Sequence, residues 1–181
     1  MTKTSAIRLL VTVALAAIPS ARAAAQDHPP MPAGMTHEEH MAQMKKEAEL
    51  KQHGRMAMGF EQDKATHHFT LTAKGGTIAV TAKDPADRVT RDHIQAHLKE
   101  IAAAFAKGDF EKPLMTHGEM PAGVSDMKRH QADIKYTFES DDTGGAVQIV
   151  TGNDQALKAI HEFLRYQIRE HATGDPLTVR K

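Results

Sequence analysis

The chain of 181 residues contains no cysteine. Disulfides, thiolate metal sites, lipid-anchoring cysteines and covalently attached haem are therefore excluded, and the stability of the fold must come from packing. Tryptophan is also absent, and only two tyrosines are present. Beyond the N-terminus no apolar run approaches the roughly 20 residues that a membrane-spanning helix needs. We therefore expect no membrane span in the mature protein.

An excess of one charge sign is missing as well. Basic and acidic residues number 23 each. Loss of Lys3, Arg8 and Arg22 with a cleaved N-terminal segment leaves 20 basic against 23 acidic residues. A mildly acidic protein is poorly suited to nucleic acid or to an anionic membrane surface, so we predict neither as a partner.

The first 25 residues have the pattern of a secretory signal peptide. Lys3 and Arg8 precede an apolar run over residues 9–18, and Ala21-Arg22-Ala23 forms a small-x-small cleavage pattern. The apolar run has about half the length that a bilayer requires. The pattern predicts a signal peptide over 1–25 and a periplasmic or secreted mature protein.

A repeated pattern organises residues 66–181. A strand with alternating apolar residues, a Gly-Gly pair, a second strand and an amphipathic helix occur in that order twice, with the pairs at Gly75-Gly76 and Gly144-Gly145. We expect each pair to form a tight hairpin turn. Two strand-strand-helix modules predict an α+β domain, a four-stranded antiparallel sheet with two helices on one face.

Residues 26–65 precede this domain. A proline-rich stretch over 26–35 predicts a flexible tether, and a capping box then begins a helix that we expect to end near Gln52, before Gly54. Residues 54–65 are predicted to connect this helix to the domain. One face of the helix carries four soft ligand side chains at helical spacing: His37, His40, Met41 and Met44. This face can either pack against the domain or bind Cu(I).

Twelve histidines and ten methionines suggest a transition-metal site. On the first strand, His67 and His68 point to opposite faces, so one of them faces inward. His93 and His97 lie one helical turn apart. Residues 109–131 contain too many prolines and glycines for a long element, which predicts a long loop. Its segment over 115–120 holds three further candidate ligands: Met115, His117 and Met120.

Two further observations limit the histidine chemistry. The run from Asp92 to His97 lacks the glutamate of a His-Glu-x-x-His zinc hydrolase, so that class is excluded. When the two modules are aligned, His97 corresponds to Phe163 and Phe105 corresponds to His171, so the predicted site is not duplicated. We expect His171 to act as a cap at the C-terminus of the last helix.

Several short segments between residues 59 and 176 resemble a group of small exported bacterial proteins that carry the label aspartate carbamoyltransferase. The shared segments are 59–64, 66–69, 84–87, 108–110 and 160–168. The resemblance implies a single exported domain. It carries over no catalytic residue, because this chain lacks the Ser-Thr-Arg-Thr phosphate-binding motif of that enzyme.

The sequence thus favours an exported protein that binds a transition metal for storage, delivery or resistance. The chain offers methionine thioethers but no cysteine thiolates, which favours copper over zinc or nickel as the bound ion. Another periplasmic protein is a further candidate partner. Two alternatives remain open. One is a periplasmic enzyme with a three-histidine metal site or histidine acid–base chemistry, and the other is a module that binds a non-metal ligand or a protein.

Overall fold

The computed structural model describes residues 32–180, so the predicted signal peptide and the first part of the tether lie outside the described residues. Residues 32–35 form a turn, in which the Met35 N–H donates to the Pro32 carbonyl (3.3 Å), and they belong to a unit separate from residues 36–181. Within 32–180, no helix combines the length and apolarity needed to cross a membrane.

The central element is a four-stranded antiparallel sheet. Its strands are β1 (Ala65–Thr72), β2 (Gly75–Ala82), β3 (Ile134–Ser140) and β4 (Gly144–Thr151), and their spatial order is β1-β2-β4-β3. The second strands of the two modules therefore pair at the centre, and the first strands form the edges. The prediction of a duplicated α+β fold is confirmed.

Two long helices cover one face of the sheet: α2 (Arg88–Phe105) and α5 (Asp154–Glu170). Asp87 and Asn153 begin them by accepting backbone N–H bonds at the N-cap. Each helix packs mainly against the strands of the other module, α2 against β3 and β4, α5 against β1 and β2, and also touches the central strand of its own module. The two modules are thus interlocked around one core.

The core follows the alternation of the strands and the apolar stripes of the helices. Inward-facing strand residues meet the buried side of α2 and α5. The large side chains at the centre include Leu71, Ile94, Leu98, Ile149, Ile160, Phe163 and Leu164. His161 is buried among them on α5. Its Nε2 donates to the carbonyls of Thr72 (2.9 Å) and Gly75 (3.1 Å), which fixes the β1–β2 hairpin to the helix.

The prediction that the Gly-Gly pairs form the hairpin turns is wrong. β1 ends at Thr72 and β2 begins at Gly75, so the glycines already belong to the strand. A Cβ at Gly76 would overlap the Thr70 carbonyl oxygen and Cδ1 of Leu164. Glycine is required here for close approach of backbone and helix rather than for a turn.

The second pair occupies the equivalent place at the start of β4. Gly144 and Gly145 lie opposite Thr81 and Val80 in the register of β2 and β4. A Cβ at Gly144 would overlap the Val80 carbonyl oxygen. The two glycine pairs therefore mark the two ends of the central strand pairing.

The N-terminal helix α1 spans His37–Met58. Thr36 and Glu39 form the predicted capping box. The prediction that the helix stops before Gly54 is wrong, since α1 continues through this residue. Gly54 gives room to the side chain of Gln62, which would overlap a Cβ there. The helix ends instead at Gly59, whose φ of 79° is the left-handed conformation that favours glycine.

The prediction of a long loop over 109–131 is also wrong. Two short helices occupy it: α3 (Glu111–His117) and α4 (Val124–Arg129). Pro113 stands in the first turn of α3, where its missing N–H leaves no helical bond unmade. Gly118 (φ 71°) ends α3 and Gly123 (φ 84°) precedes α4, so these residues delimit helices instead of preventing them.

Candidate functional site

A cavity of about 60 Å³ lies between the helix-covered face of the sheet and α2, α3 and α5. Its walls are mainly apolar, and four histidines line it: His67, His97, His117 and His171. We call this space the imidazole cavity. A water molecule needs roughly 10–15 Å³ measured in this way, so the cavity can hold a metal ion with a small co-ligand or a very small molecule.

Each histidine comes from a different element. His67 is on β1, on the same face as the buried Phe69, and His97 lies on α2 beside the buried Leu98. His117 is the last residue of α3, and His171 is the C-cap of α5. The cavity therefore exists only when the complete domain has folded.

Three of the rings contact one another through His171. The centres of the His67 and His171 rings are 5.3 Å apart with the planes 12° from parallel. The centres of His117 and His171 are 5.1 Å apart, and these rings meet edge to face at 82°. Phe60 links the fourth imidazole to the cluster, because its ring lies 6.2 Å from His67 and 5.8 Å from His97.

Three ring nitrogens of the cluster are buried without a hydrogen-bond partner among the described residues: Nε2 of His67, Nδ1 of His97 and Nδ1 of His117. Nε2 of His117 is 3.0 Å from Oε1 of Gln167. In the tautomer that donates to this oxygen, Nδ1 of His117 presents a lone pair. A buried polar atom left unpaired costs about 1–3 kcal/mol, so a water molecule, an ion or a small ligand bound to these nitrogens would stabilise the protein.

Burial keeps these imidazoles neutral. Desolvation lowers the pKa of His67 to about 4 and the pKa values of His97 and His171 to about 3. The pKa of His117 is also lowered by desolvation, against the opposing effect of its bond to Gln167. Neutral imidazoles have free lone pairs at pH 7, as metal coordination and hydrogen-bond acceptance both require.

One charged side chain reaches the cavity wall. Nζ of Lys112 donates to the Ala57 carbonyl (2.9 Å) and pairs with Oε2 of Glu100 (3.1 Å). After desolvation, this ammonium is the next cause of the low pKa of His97. No aspartate or glutamate of residues 32–180 lines the cavity, so the site offers neutral nitrogen donors. Met58 adds a thioether to the lining.

The internal duplication allows the histidine positions to be compared with the equivalent positions in the other module. The equivalent strands differ by 69 in numbering and the equivalent helices by 66, since Gly75 corresponds to Gly144 and Arg88 to Asp154. In the other half, aromatic residues replace three of the histidines: Tyr136 for His67, Phe163 for His97 and Phe105 for His171. The Phe105 ring packs edge to face against both Tyr136 and Phe163, and the ring centres are 5.8 Å apart in each pair. Packed aromatic rings therefore occupy the positions equivalent to the three imidazoles, and two of them, Phe105 and Phe163, also line the imidazole cavity.

The structure places some of the predicted ligands together and others apart. His67, His97 and His117 line the imidazole cavity. His68 points to the opposite face of β1, where its Nδ1 lies 3.0 Å from Oδ1 of Asp175. His93 is exposed on α2.

The predicted methionine ligands are not in the cavity either. Met115 and Met120 are 51% and 41% exposed and do not line it. The four residues of the His/Met face lie along α1, outside the cavity: His37, His40, Met41 and Met44. Sequence reasoning missed His171, Gln167 and Met58 as site residues. The equivalence of His171 with Phe105 was a usable signal, because an apolar ring at that place points into the core.

Comparison with known proteins gives no match to a protein-family model, to a curated protein or to a solved structure.

Proposed function

We propose that this protein binds a transition metal ion, most simply Cu(I), in the imidazole cavity. The observation that carries the proposal is the set of three buried ring nitrogens without partners around one cavity. The hydrogen bond between Gln167 and Nε2 of His117 orients this ring, as hydrogen bonds to the second nitrogen of metal-binding imidazoles commonly do. Nδ1 of His117 is then free to bind the ion.

Ring separations in the cluster suit a shared ion. Metal–nitrogen bonds of about 2.0–2.1 Å place the ring centres of two imidazoles on one ion roughly 5 Å apart. The observed separations of 5.3 Å and 5.1 Å from His171 to His67 and His117 are of this size. In residues 32–180, however, no three His, Asp or Glu side chains are already arranged around a single point. Binding therefore requires the rings to rotate.

The charge of the cavity favours a monovalent ion. Moving an ion into an apolar interior costs free energy that rises steeply with its charge. No carboxylate among the described residues lines the cavity to offset this cost, and the Lys112 ammonium at the cavity wall adds repulsion that also increases with the charge of the ion. Cu(I) also accepts few ligands, and imidazole and thioether donors suit it. An exported protein with this site would store, deliver or sequester copper in the periplasm.

The aromatic residues at the equivalent positions supply the variant that tests this function. In the variant His67→Tyr/His97→Phe/His171→Phe, each imidazole is exchanged for the ring at the equivalent position. We expect Cu(I) affinity at the cavity to fall at least about 100-fold, since changes in the surroundings of metal ligands alone cost up to that factor. Anaerobic titration against a chromophoric Cu(I) chelator measures the affinity.

Two controls make the titration specific. The background protein carries His37→Ala/His40→Ala/Met41→Ala/Met44→Ala, so that copper bound by α1 is not counted. The matched control is His93→Phe, which removes an exposed imidazole from α2. Equal Cu(I) affinity in the aromatic variant and in the His93 control would contradict the proposal.

A second candidate function is the binding of a very small non-metal molecule. The mainly apolar walls and the lack of a preassembled three-ligand cluster in residues 32–180 favour it. Such a molecule would donate hydrogen bonds to the ring nitrogens. If the protein with the α1 substitutions binds none of Cu(I), Cu(II), Zn(II) and Ni(II), this candidate replaces the first.

A further inference from the structure

A groove runs between α1 and the C-terminal end of α5. Its volume is about 500 Å³. One wall is formed by side chains of α1 and the other by residues 169–172. The α1 residues are Gln43, Lys46, Glu47 and Lys51. His171 lines both this groove and the imidazole cavity. We call it the entrance groove.

We propose that the entrance groove is the route by which the ion reaches the imidazole cavity, and that His171 is the first cavity ligand it meets. The inference rests on the proposed function, because the cargo is the Cu(I) of that site. His171 contacts both His67 and His117 through its ring, so an ion bound to it is next to the other two imidazoles.

Local backbone geometry supports this role of His171. The helix α5 ends at Glu170, and Ala172 has a φ of 47°, a left-handed conformation that is uncommon for a residue other than glycine. The chain therefore turns away directly after His171. No further helical turn covers its ring on the groove side.

A second depression also touches the cavity, but it shares no candidate metal ligand with the cavity lining. It shares Ile101, Phe105 and Lys112 with the cavity lining. None of the three offers a lone pair to a metal ion, because two have apolar side chains and the third is the protonated amine of Lys112. The entrance groove, in contrast, shares an imidazole with the cavity.

The His/Met face of α1 continues into the entrance groove. Residues 40, 44, 47 and 51 follow the i, i+4, i+7, i+11 pattern, so they lie on one side of a helix. His40 and Met44 therefore lie on the same side as the groove-lining Glu47 and Lys51, nearer the N-terminus. This arrangement gives the soft ligands of α1 a place on the path, as the residues that first collect the ion.

The experiment blocks the groove and follows two independent readouts. Glu47→Trp fills the groove, and Met115→Trp places the same ring in the second depression as the matched control. The first readout is the stopped-flow association rate of Cu(I). The second is the rate at which diethyl pyrocarbonate, which acylates neutral imidazole, modifies His171 and His67, measured by mass spectrometry without metal.

We expect Glu47→Trp to slow both processes about tenfold relative to Met115→Trp, with the equilibrium affinity for Cu(I) unchanged. A variant with the opposite effect guards against a general folding defect. Nζ of Lys46 and Oε2 of Glu170 form an ion pair across the groove (3.2 Å), so Lys46→Ala should open it and accelerate both processes.

The two proposals fail in different ways. If His171 is modified equally fast in Glu47→Trp and Met115→Trp, the entrance is wrong, whether or not copper binds. If the modification depends on the groove but the wild-type protein binds no Cu(I), the groove leads to the cavity and the proposed metal function is wrong.

Discussion

Acidification of the metal-free protein from pH 7 to pH 5.5 is expected to lower its free energy of unfolding by about 3–4 kcal/mol. The cause is the burial of His67, His97 and His171, whose pKa values are about 4, 3 and 3 in the folded protein. In the unfolded chain these groups return to an ordinary pKa of about 6.5.

The sign follows from proton binding. Between pH 6.5 and about 4 the unfolded chain binds a proton at each of the three histidines and the folded protein does not, so falling pH favours unfolding. Their contribution is complete above pH 6.5 and is lost as the pH falls towards the folded pKa values. Backbone N–H bonds from Thr90 and Thr143 lower the pKa values of Asp87 and Asp141. Protonation of these two carboxylates therefore affects the stability only below about their ordinary pKa of 3.8.

Urea unfolding at several pH values, followed by far-ultraviolet circular dichroism in the presence of a chelator, measures this dependence. His97→Phe should reduce the slope of stability against pH by about a quarter to a third, because it removes one of the four imidazoles whose pKa values burial lowers. The exposed His93→Phe is the control and should leave the slope unchanged. An equal slope in wild-type protein and His97→Phe would show that the imidazole is not buried in the folded protein.

Gly76→Ala is expected to destabilise the protein by about 3 kcal/mol or more, or to prevent folding. A methyl group at this position overlaps both the Thr70 carbonyl oxygen and Cδ1 of Leu164. The Thr70 oxygen belongs to the paired strand, so the overlap cannot be relieved by a side-chain rotation alone. The hairpin or α5 must move, and α5 carries His161 and ends at its C-cap, His171.

Gly152→Ala is the matched control. Gly152 follows β4 directly, yet a Cβ there meets no atom within 4 Å, and its φ is not positive. We expect its free energy of unfolding to stay within about 0.5 kcal/mol of wild type. The same urea titration compares the two variants. Similar stabilities would mean that the close approach of β1, β2 and α5 at Gly76 is not required.

The fold was largely predictable because its signals are local. Alternating apolar residues in the strands, the stripes of α2 and α5 and their capping residues all have fixed spacing in the sequence. The short helices α3 and α4 were missed because Pro113 and Gly118 predict breaks wherever they occur. Only the positions of these residues at helix ends show that they delimit a helix.

The candidate site was less predictable because it is assembled from four separate elements. Sequence spacing brings His93 and His97 to one side of α2, but the packing of the sheet decides that only His97 reaches the cavity. His171 was missed since a histidine at a helix end has a sufficient local explanation as a cap. Its neighbour His67 lies more than 100 positions away in the chain, and no local pattern connects them.

Because α5 packs mainly on strands made much earlier, the packing also determines when the core can close during synthesis of the chain. β1 and β2 are synthesised early, but the helix that covers them, α5, is among the last elements to be made. The half of the core that holds His67 therefore stays open until residue 171 has been synthesised. If the proposed ion binds here, a nascent chain cannot enclose it before α5 has been made, so loading would follow synthesis of this helix.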